Sequence, residues 1–414
     1  MKIFFSCLLL MALAESACAQ EKAKAYWTIE SALQDPKRVK ILILSDKDLT
    51  EVPGSIEKLI NLEELSLNNN KLTVLPQWLS GLKQLRKLDL SNNKLQSVPE
   101  VIKDITSLKE LLMEDNLLST LPSWLGSMAT LEKLDVSGNK LKMLTPDTGF
   151  PKSLLSLNIS SNEMALFPVT VISCSSLKEL MISRNKIKVL PELGALKNLE
   201  YIDFSFNQID RIPASMSGCS KLEIVKLRGN KLTKIQSLQA KTITSLDLGA
   251  NAFVSFPSEI ISMDSLQELL IDQNKLNAIP DAFSKLQMIN RLDISANAFP
   301  FFPEIICSLT GLKELRASAN KFSSLPSCFS SLTQLTDLDL SKNAFTAIPS
   351  ILGKMQDLST IDFSDNKIKQ VFDELSGWKH KVEIKMWGNG ILREELAKFP
   401  DGELSQYVTL VLLK

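Results

Sequence analysis

The feature that most constrains this chain is a short sequence unit that recurs about every 23 residues. One copy, residues 85–99, reads LRKLDLSNNKLQSVP. The asparagine that ends its LxxLxLxxN core recurs at Asn70, Asn93, Asn116, Asn139, Asn162, Asn185, Asn207, Asn230, Asn251, Asn274, Asn297, Asn320, Asn343, Asn366 and Asn389. A first copy carries Lys47 there, which makes sixteen copies. A regular period over this length predicts a stack of one structural unit.

Each copy contains a short alternation of apolar and polar residues. Leu88, Asp89 and Leu90 show it, with leucines expected to point inward and the aspartate outward, as in a strand with one buried face. One copy cannot cover its own apolar face, so neighbouring copies should stack at about 4.8 Å into a parallel sheet. The asparagine side chain is expected to satisfy backbone groups at the turn. A proline such as Pro99 then fixes the backbone at the start of an outer, convex segment.

The spacing LxxLxLxxNxLxxLPxxLxxL resembles that of the leucine-rich-repeat family, and the resemblance covers most of the chain. It implies an α/β repeat fold, a curved solenoid of about sixteen repeats with a parallel β-sheet on its concave face. A helical N-terminal cap and an irregular C-terminal cap are expected to close its ends. The motif is specific for fold and says little about activity.

Residues 1–19 have the pattern of a secretory signal peptide cleaved after Ala19. A basic residue precedes an apolar run at residues 3–14, which is too short to span a bilayer. The chain is therefore expected to be secreted, periplasmic or at the cell surface. The alternative is a lipoprotein acylated at Cys18, which would be the only reason to expect membrane contact. Glu15 weighs against it, because lipoprotein signals usually carry an aliphatic residue there.

Three further segments follow the leader. Residues 20–38 are predicted to form an N-terminal cap, in which Thr28 begins a short helix and Trp27 helps to cover the first strand. Residues 39–389 hold the leucine-rich repeats. Residues 390–414 are predicted to form the C-terminal cap, with a sorting signal for secretion as the alternative.

Four of the six cysteines lie outside the leader. Cys174 and Cys219 occupy a column that elsewhere holds leucine or isoleucine, which predicts buried thiols. Cys307 and Cys328 lie on the convex side of adjacent repeats at different offsets, which favours two unpaired thiols over a disulfide. Neither end of the repeat array has a cysteine cluster. Together with the leader, this favours a bacterial envelope or secreted protein over an extracellular animal one.

The chain offers few groups for catalysis. His380 is the only histidine, which argues against a histidine-based triad or a two-histidine zinc site. The motifs of P-loops, dinucleotide-binding sites and common hydrolases are missing. We therefore expect no enzyme activity, cofactor or metal. With 47 basic and 47 acidic residues, the chain has no overall charge that favours nucleic acid, and no nucleic-acid partner is expected.

The concave face is expected to carry stripes of aspartate, because Asp alternates with other residues in the middle outward column. The seventh to ninth repeats depart from this pattern and combine aromatic, methionine, arginine and lysine side chains, a composition enriched at interface hot spots. The predicted partner-binding residues are Met181, Arg184, Tyr201, Asp203, Phe206, Ile224, Lys226 and Arg228. The alternative is that Phe206 folds into the core and Ile224 is an isolated surface residue.

On the convex side, Trp78, Val101 and Trp124 take the same position in three successive repeats. A cover over the outer leucines is favoured over an exposed apolar ridge. We therefore predict a non-catalytic, secreted or surface-associated protein that binds a macromolecule, most simply a protein, through its concave face. One alternative is an intracellular signalling scaffold, since this repeat form is similar to that of proteins acting on small GTPases. Another is a glycan binder, for which the concave face offers few aromatic platforms.

Overall fold

The computed structural model describes residues 24–145, 147–235, 238, 241–375, 378, 380–398 and 408–412. The expected leader at residues 1–19, with Cys18, therefore lies outside the described residues. So do the first residues of the expected N-terminal cap and residues 399–407 of the expected C-terminal cap.

The described residues form one parallel sheet of eighteen short strands, each paired with the strands before and after it in sequence. The strands are β1 (Ala25–Tyr26), β2 (Ile41–Ile43), β3 (Glu64–Ser66), β4 (Lys87–Asp89), β5 (Glu110–Leu112), β6 (Lys133–Asp135), β7 (Ser156–Asn158), β8 (Glu179–Met181), β9 (Tyr201–Asp203), β10 (Ile224–Lys226), β11 (Ser245–Asp247), β12 (Glu268–Leu270), β13 (Arg291–Asp293), β14 (Glu314–Arg316), β15 (Asp337–Asp339), β16 (Thr360–Asp362), β17 (Val382–Lys385) and β18 (Val408–Val411). The register joins equivalent positions of neighbouring repeats, as in Leu88 with Leu111. The predicted leucine-rich-repeat solenoid is confirmed.

The outer segments are single turns of 3-10 helix that begin directly after a proline. A 3-10 helix rises about 2.0 Å per residue, whereas an α-helix rises about 1.5 Å. Five residues of 3-10 helix therefore span a longer part of the segment that leads from one strand to the next. These turns are Gly54–Lys58, Gln77–Gly81, Glu100–Asp104, Ser123–Ser127, Val169–Ser173, Ala214–Gly218, Ser258–Ser262, Asp281–Lys285, Glu304–Ser308, Ser327–Ser331 and Ser350–Lys354. In the described parts of the chain, three short α-helices lie near the ends, α1 (Ile29–Ala32), α2 (Phe372–Leu375) and α3 (Arg393–Ala397).

The asparagines form a hydrogen-bonded ladder inside the turns. The Nδ2 of Asn93 donates to the carbonyl oxygens of Leu67 and Leu90, both at 3.0 Å. Its Oδ1 accepts from the backbone N–H of Leu72 at 2.9 Å. One side chain therefore satisfies buried backbone groups of two repeats, as the sequence predicts. The residue before each asparagine has a positive φ, 53° at Asn92.

At the N-terminal end, β1 pairs with β2 and covers the first strand of the repeats. Thr28 caps α1, because its Oγ1 accepts from the backbone N–H of Ser31, as predicted. Trp27 is exposed, so the prediction that it belongs to this cover is wrong. On the convex side, Trp78 and Trp124 are partly buried against the core, and Val101 is buried. These three side chains cover the outer leucines and form no exposed ridge.

The expectation of two unpaired thiols at Cys307 and Cys328 is wrong, because the two form a disulfide with Cα atoms 5.8 Å apart. Side chains on one 3-10 turn project around its circumference. Cys307 is the fourth residue of the turn Glu304–Ser308, and Cys328 is the second residue of the turn Ser327–Ser331. Their side chains can therefore face the same groove between the two turns. Unequal offsets do not exclude a bond between neighbouring turns. Cys174 and Cys219 are free and buried as predicted, and burial raises the pKa of each thiol to about 11.

Candidate concave binding site

The predicted site residues lie on three consecutive strands and on the turns that follow them. β8, β9 and β10 run side by side, and the register pairs Tyr201 with Ile224 and Asp203 with Lys226. We call the group of Met181, Arg184, Tyr201, Asp203, Phe206, Ile224 and Lys226 the central patch. A depression of about 460 Å³ lies on this part of the concave face. Its lining includes Arg184, Asp203, Phe206, Lys226 and Arg228.

Phe206 is the most unusual residue of the central patch. Its side chain is 44% exposed, so it does not fold into the core. The guanidinium carbon of Arg184 lies 4.9 Å from the centre of the ring. A β-carbon added at Gly229 would come within 2.6 Å of the ring, so the glycine leaves the space that the ring occupies. The φ of Phe206 is 55°, a conformation that bulky residues rarely adopt.

A second cation lies over an aromatic ring on the strands themselves. The Nζ of Lys226 is 5.4 Å from the ring centre of Tyr201. Burial lowers the pKa of Lys226, but its interactions with Tyr201, Asp203 and Asp247 outweigh burial and raise the pKa overall. Lys226 is therefore a fixed positive charge. Met181 and Ile224 are half-buried, and with the Tyr201 ring they give this part of the sheet an apolar floor.

Arg228 has an internal partner. Its Nη1 and Nη2 donate to the two carboxylate oxygens of Asp272 at 2.8 and 2.6 Å, two repeats further along the chain. Nη1 also lies 3.5 Å from Asp247. The repeat between them carries Gly249, where an added β-carbon would overlap both the guanidinium and the Asp272 carboxylate. Arg228 borders the depression, but its donors are already engaged within the chain.

The aspartates of the middle outward column also form bonds within the chain. The Oδ1 of Asp203 accepts from the backbone N–H of Ser205 at 3.0 Å, and Asp89, Asp135, Asp247, Asp293, Asp339 and Asp362 make the equivalent bond. These carboxylates therefore fix the strand ends. Burial raises the pKa of Asp293 to about 6, and the charge of Asp272 adds to the effect.

The far wall of the depression consists of residues that the sequence did not predict as part of the site. It includes Asp247, Glu268, Leu270 and Arg291. Arg291 bridges Glu268 at 2.7 Å and Glu314 at 3.1 Å, so this wall is held by ion pairs between neighbouring repeats. The alternation of Glu268, Arg291 and Glu314 at one position of three successive repeats is the sequence signal that could have indicated this pairing.

Within the described parts of the chain, no group of three or more His, Cys, Asp or Glu side chains is arranged to hold a metal ion. In the same parts, every helix falls short of the length and apolar content needed to cross a membrane.

Comparisons with known proteins agree with the fold. A family model described as leucine rich repeat matches residues 37–95, 175–232 and 241–299. The structure of a leucine-rich-repeat protein of Leptospira interrogans is similar with a TM-score of 0.83 and 32% identity, over 91% of this chain and 96% of that one. A search of curated proteins found no match.

Two more distant structures are also similar. One is the ectodomain of the plant membrane receptor kinase GASSHO1/SCHENGEN3 from Arabidopsis thaliana, solved in complex with CASPARIAN STRIP INTEGRITY FACTOR 2. It has a TM-score of 0.66 and 28% identity over 88% of this chain and 47% of that one. An internalin from Listeria monocytogenes has a TM-score of 0.62 and 22% identity, over 81% of this chain and 93% of that one. At this identity the similarity concerns the fold alone. From its repeats, its sheet and its similarity to the Leptospira protein, the chain belongs to the leucine-rich-repeat family.

Proposed function

We propose that this chain is a non-catalytic binding module that recognises a protein through the central patch of its concave face. The observation that carries the proposal is Phe206. This exposed aromatic side chain lies between the Arg184 guanidinium and Gly229, at a position where the other copies of the repeat carry no aromatic residue. Exposed aromatic and arginine side chains that meet at the centre of a concave surface have the composition of binding hot spots.

The charges of the central patch support a partner with acidic groups. Among the described residues, Arg184 and Lys226 form no ion pair with a carboxylate within 4.0 Å, whereas Arg228 and Arg291 do. The carboxylate of Asp203 is engaged by a backbone N–H. An incoming carboxylate next to an apolar side chain could therefore bind Arg184 or Lys226 while the apolar group packs on Phe206. The plant ectodomain, solved with its factor bound, supports protein recognition by analogy.

The proposal is tested by affinity capture with the immobilised chain, followed by mass spectrometry and calorimetric titration of the captured protein. We expect Phe206→Ala to weaken binding by about 2 kcal/mol, roughly thirtyfold. Phe301→Ala is the matched control, because Phe301 is a more exposed phenylalanine on a distant repeat. Equal affinity for Phe206→Ala and the parent would exclude the central patch as the binding site. Arg228 is left unchanged, because its substitution would disturb the bridge to Asp272.

We also propose that the protein is exported, on the basis of the leader pattern at residues 1–19. N-terminal sequencing of protein from the extracellular or envelope fraction should then begin at Gln20. An acylated N-terminus at Cys18 would support the lipoprotein alternative. Cytosolic protein that retains residues 1–19 would support the intracellular scaffold instead.

A further inference from the structure

A second surface differs from the concave face in both charge and apolar content. It comprises the four residues after the asparagine in each of the fifth to ninth repeats, and we call it the basic edge. Neighbouring segments of this edge are joined by backbone hydrogen bonds. The N–H of Glu163 donates to Leu141 O and that of Lys186 to Met164 O, both at 2.8 Å. Equivalent residues of successive repeats therefore lie side by side.

The basic edge carries seven cations and two carboxylates. The cations are Lys140, Lys142, Lys186, Lys188, Arg211, Lys231 and Lys234, and all are exposed. The carboxylates are Glu163 and Asp210. Among the described residues, only Lys186 of these cations has a carboxylate within 4.0 Å, that of Glu163 at 4.0 Å. Asp147 adds one further carboxylate in the loop that follows.

An exposed apolar row runs through the same edge. Met143, Leu166 and Val189 take the same position in three successive repeats and are 56%, 63% and 54% exposed. Lys142 and Lys188 directly precede two of them. Exposed aliphatic side chains that form a contiguous row among lysines mark an interaction surface, whereas isolated ones need no explanation.

The charge of the basic edge is a local concentration. The chain as a whole has 47 basic and 47 acidic residues. The same four positions in the first four repeats hold two lysines and two carboxylates, and those in the tenth to fourteenth repeats hold two lysines, Lys275 and Lys321. Three cations return in the last two repeats, Lys367, Lys369 and Arg393. The fifth to ninth repeats are set apart because they combine these cations with three successive large apolar residues at the fourth position after the asparagine, a run that the other repeats lack.

We propose that the basic edge docks on the surface of an anionic lipid bilayer. Ammonium groups would bind lipid phosphates, while Met143, Leu166 and Val189 enter the boundary between headgroups and acyl chains. Lysine stems suit this arrangement, because they cover apolar surface while the charged ends stay in water. Nucleic acid would neutralise the lysines but leave the aliphatic row in water. The proposal concerns residues outside the central patch and is independent of the proposed function.

Vesicle flotation tests the proposal with the full-length chain. We expect binding to vesicles that contain phosphatidylglycerol, weaker binding to pure phosphatidylcholine, and a decrease as salt is raised. Lys140→Gln/Lys231→Gln should weaken binding by roughly fivefold for each lysine. Lys275→Gln/Lys321→Gln is the matched control, since these lysines take the same position after the asparagine in other repeats. Residues 3–14 are common to all variants, so their contribution cancels in the comparison.

The apolar row is tested separately. Leu166→Ser should weaken vesicle binding, whereas Val254→Ser, at a valine of similar exposure in the tenth repeat, should not. Melting curves establish that each variant is folded. Equal binding to the two kinds of vesicle, or equal losses in the test and control pairs, would overturn the proposal. So would binding to soluble polyglutamate without binding to vesicles, which would assign the edge to an acidic protein.

Discussion

The bridge between Arg228 and Asp272 interrupts a ladder of serines on the concave face. The equivalent position holds serine in the preceding repeats at Ser160, Ser183 and Ser205, and in the following ones at Ser295, Ser318, Ser341 and Ser364. Between them stand Arg228, Gly249 and Asp272. Asp272 is 6% exposed and Arg228 is 24% exposed, so the pair is largely removed from water.

We expect Arg228→Ser to lower the free energy of unfolding by about 2–3 kcal/mol. The substitution leaves the Asp272 carboxylate buried without its guanidinium, a loss of about 3–5 kcal/mol when both partners are buried. The partial exposure of Arg228 reduces this value. Asp272→Ser should cost only about 1 kcal/mol, because Arg228 keeps Asp247 at 3.5 Å and can reach water. The double variant Arg228→Ser/Asp272→Ser should lie within about 1 kcal/mol of the parent, since it removes both charges together and places at each position the serine that neighbouring repeats carry.

Urea unfolding followed by circular dichroism measures these differences, provided that the m-values of the variants agree. Gly249→Ala should resemble Arg228→Ser, because the added β-carbon would overlap both partners of the bridge. Gly81→Ala is its control, since an added β-carbon there meets no atom within 4 Å. If the double variant were as unstable as Arg228→Ser, loss of the bridge would not be the cause. If Arg228→Ser lowered the free energy of unfolding by less than about 0.5 kcal/mol, the buried Asp272 carboxylate would not depend on its partner.

Three further predictions concern stability. Because burial raises the pKa of Asp293 to about 6 from 3.8, this group should stabilise the fold as pH falls from about 6 to 4, by up to about 3 kcal/mol. Asp293→Asn should remove that part of the pH profile of urea unfolding. His380 has the opposite effect. Burial lowers its pKa, and among the described residues its ring nitrogens have no hydrogen-bond partner, so the fold should lose stability as pH falls through about 6.5. His380→Leu should reduce the difference between melting temperatures at pH 7.5 and 5.5. Loss of the disulfide in Cys307→Ser/Cys328→Ser should cost about 2–4 kcal/mol, and dithiothreitol should destabilise the parent but not this variant.

The repeat scaffold could be predicted from the sequence because its determinants lie within one or two copies. Leu88 and Leu90 fix the buried face of a strand, Asn93 satisfies the turn next to it, and Pro99 begins the outer segment. Each of these roles needs only the copy itself and its neighbours. Repetition then supplies the register, since equivalent positions pair along the whole sheet.

Side-chain pairing across repeats could not be predicted in the same way. Arg228 and Asp272 are separated by 44 residues, and the sequence shows two opposite charges in one column without showing that they meet. The disulfide illustrates a second difficulty, because Cys307 and Cys328 occupy different positions of their turns. Such contacts depend on side-chain directions and on the space left by residues such as Gly249, which alignment of the copies does not supply.

Phe206 shows how the two kinds of information combine. The residue before the asparagine is left-handed in every described repeat, so the strain belongs to the scaffold and is not in itself evidence of function. The choice of side chain is different: the other fifteen copies place Asn, Asp, Gly, Ala, Ser, Gln, Lys or Arg there, and only one places an aromatic ring. That ring leans over the equivalent Gly229 and contacts the equivalent Arg184. Three neighbouring members of one column therefore form a single arrangement on the surface. Phe206 therefore occupies a position whose backbone conformation is fixed by the repeat, and its exposed ring is not needed for folding. For this reason we place recognition at the central patch.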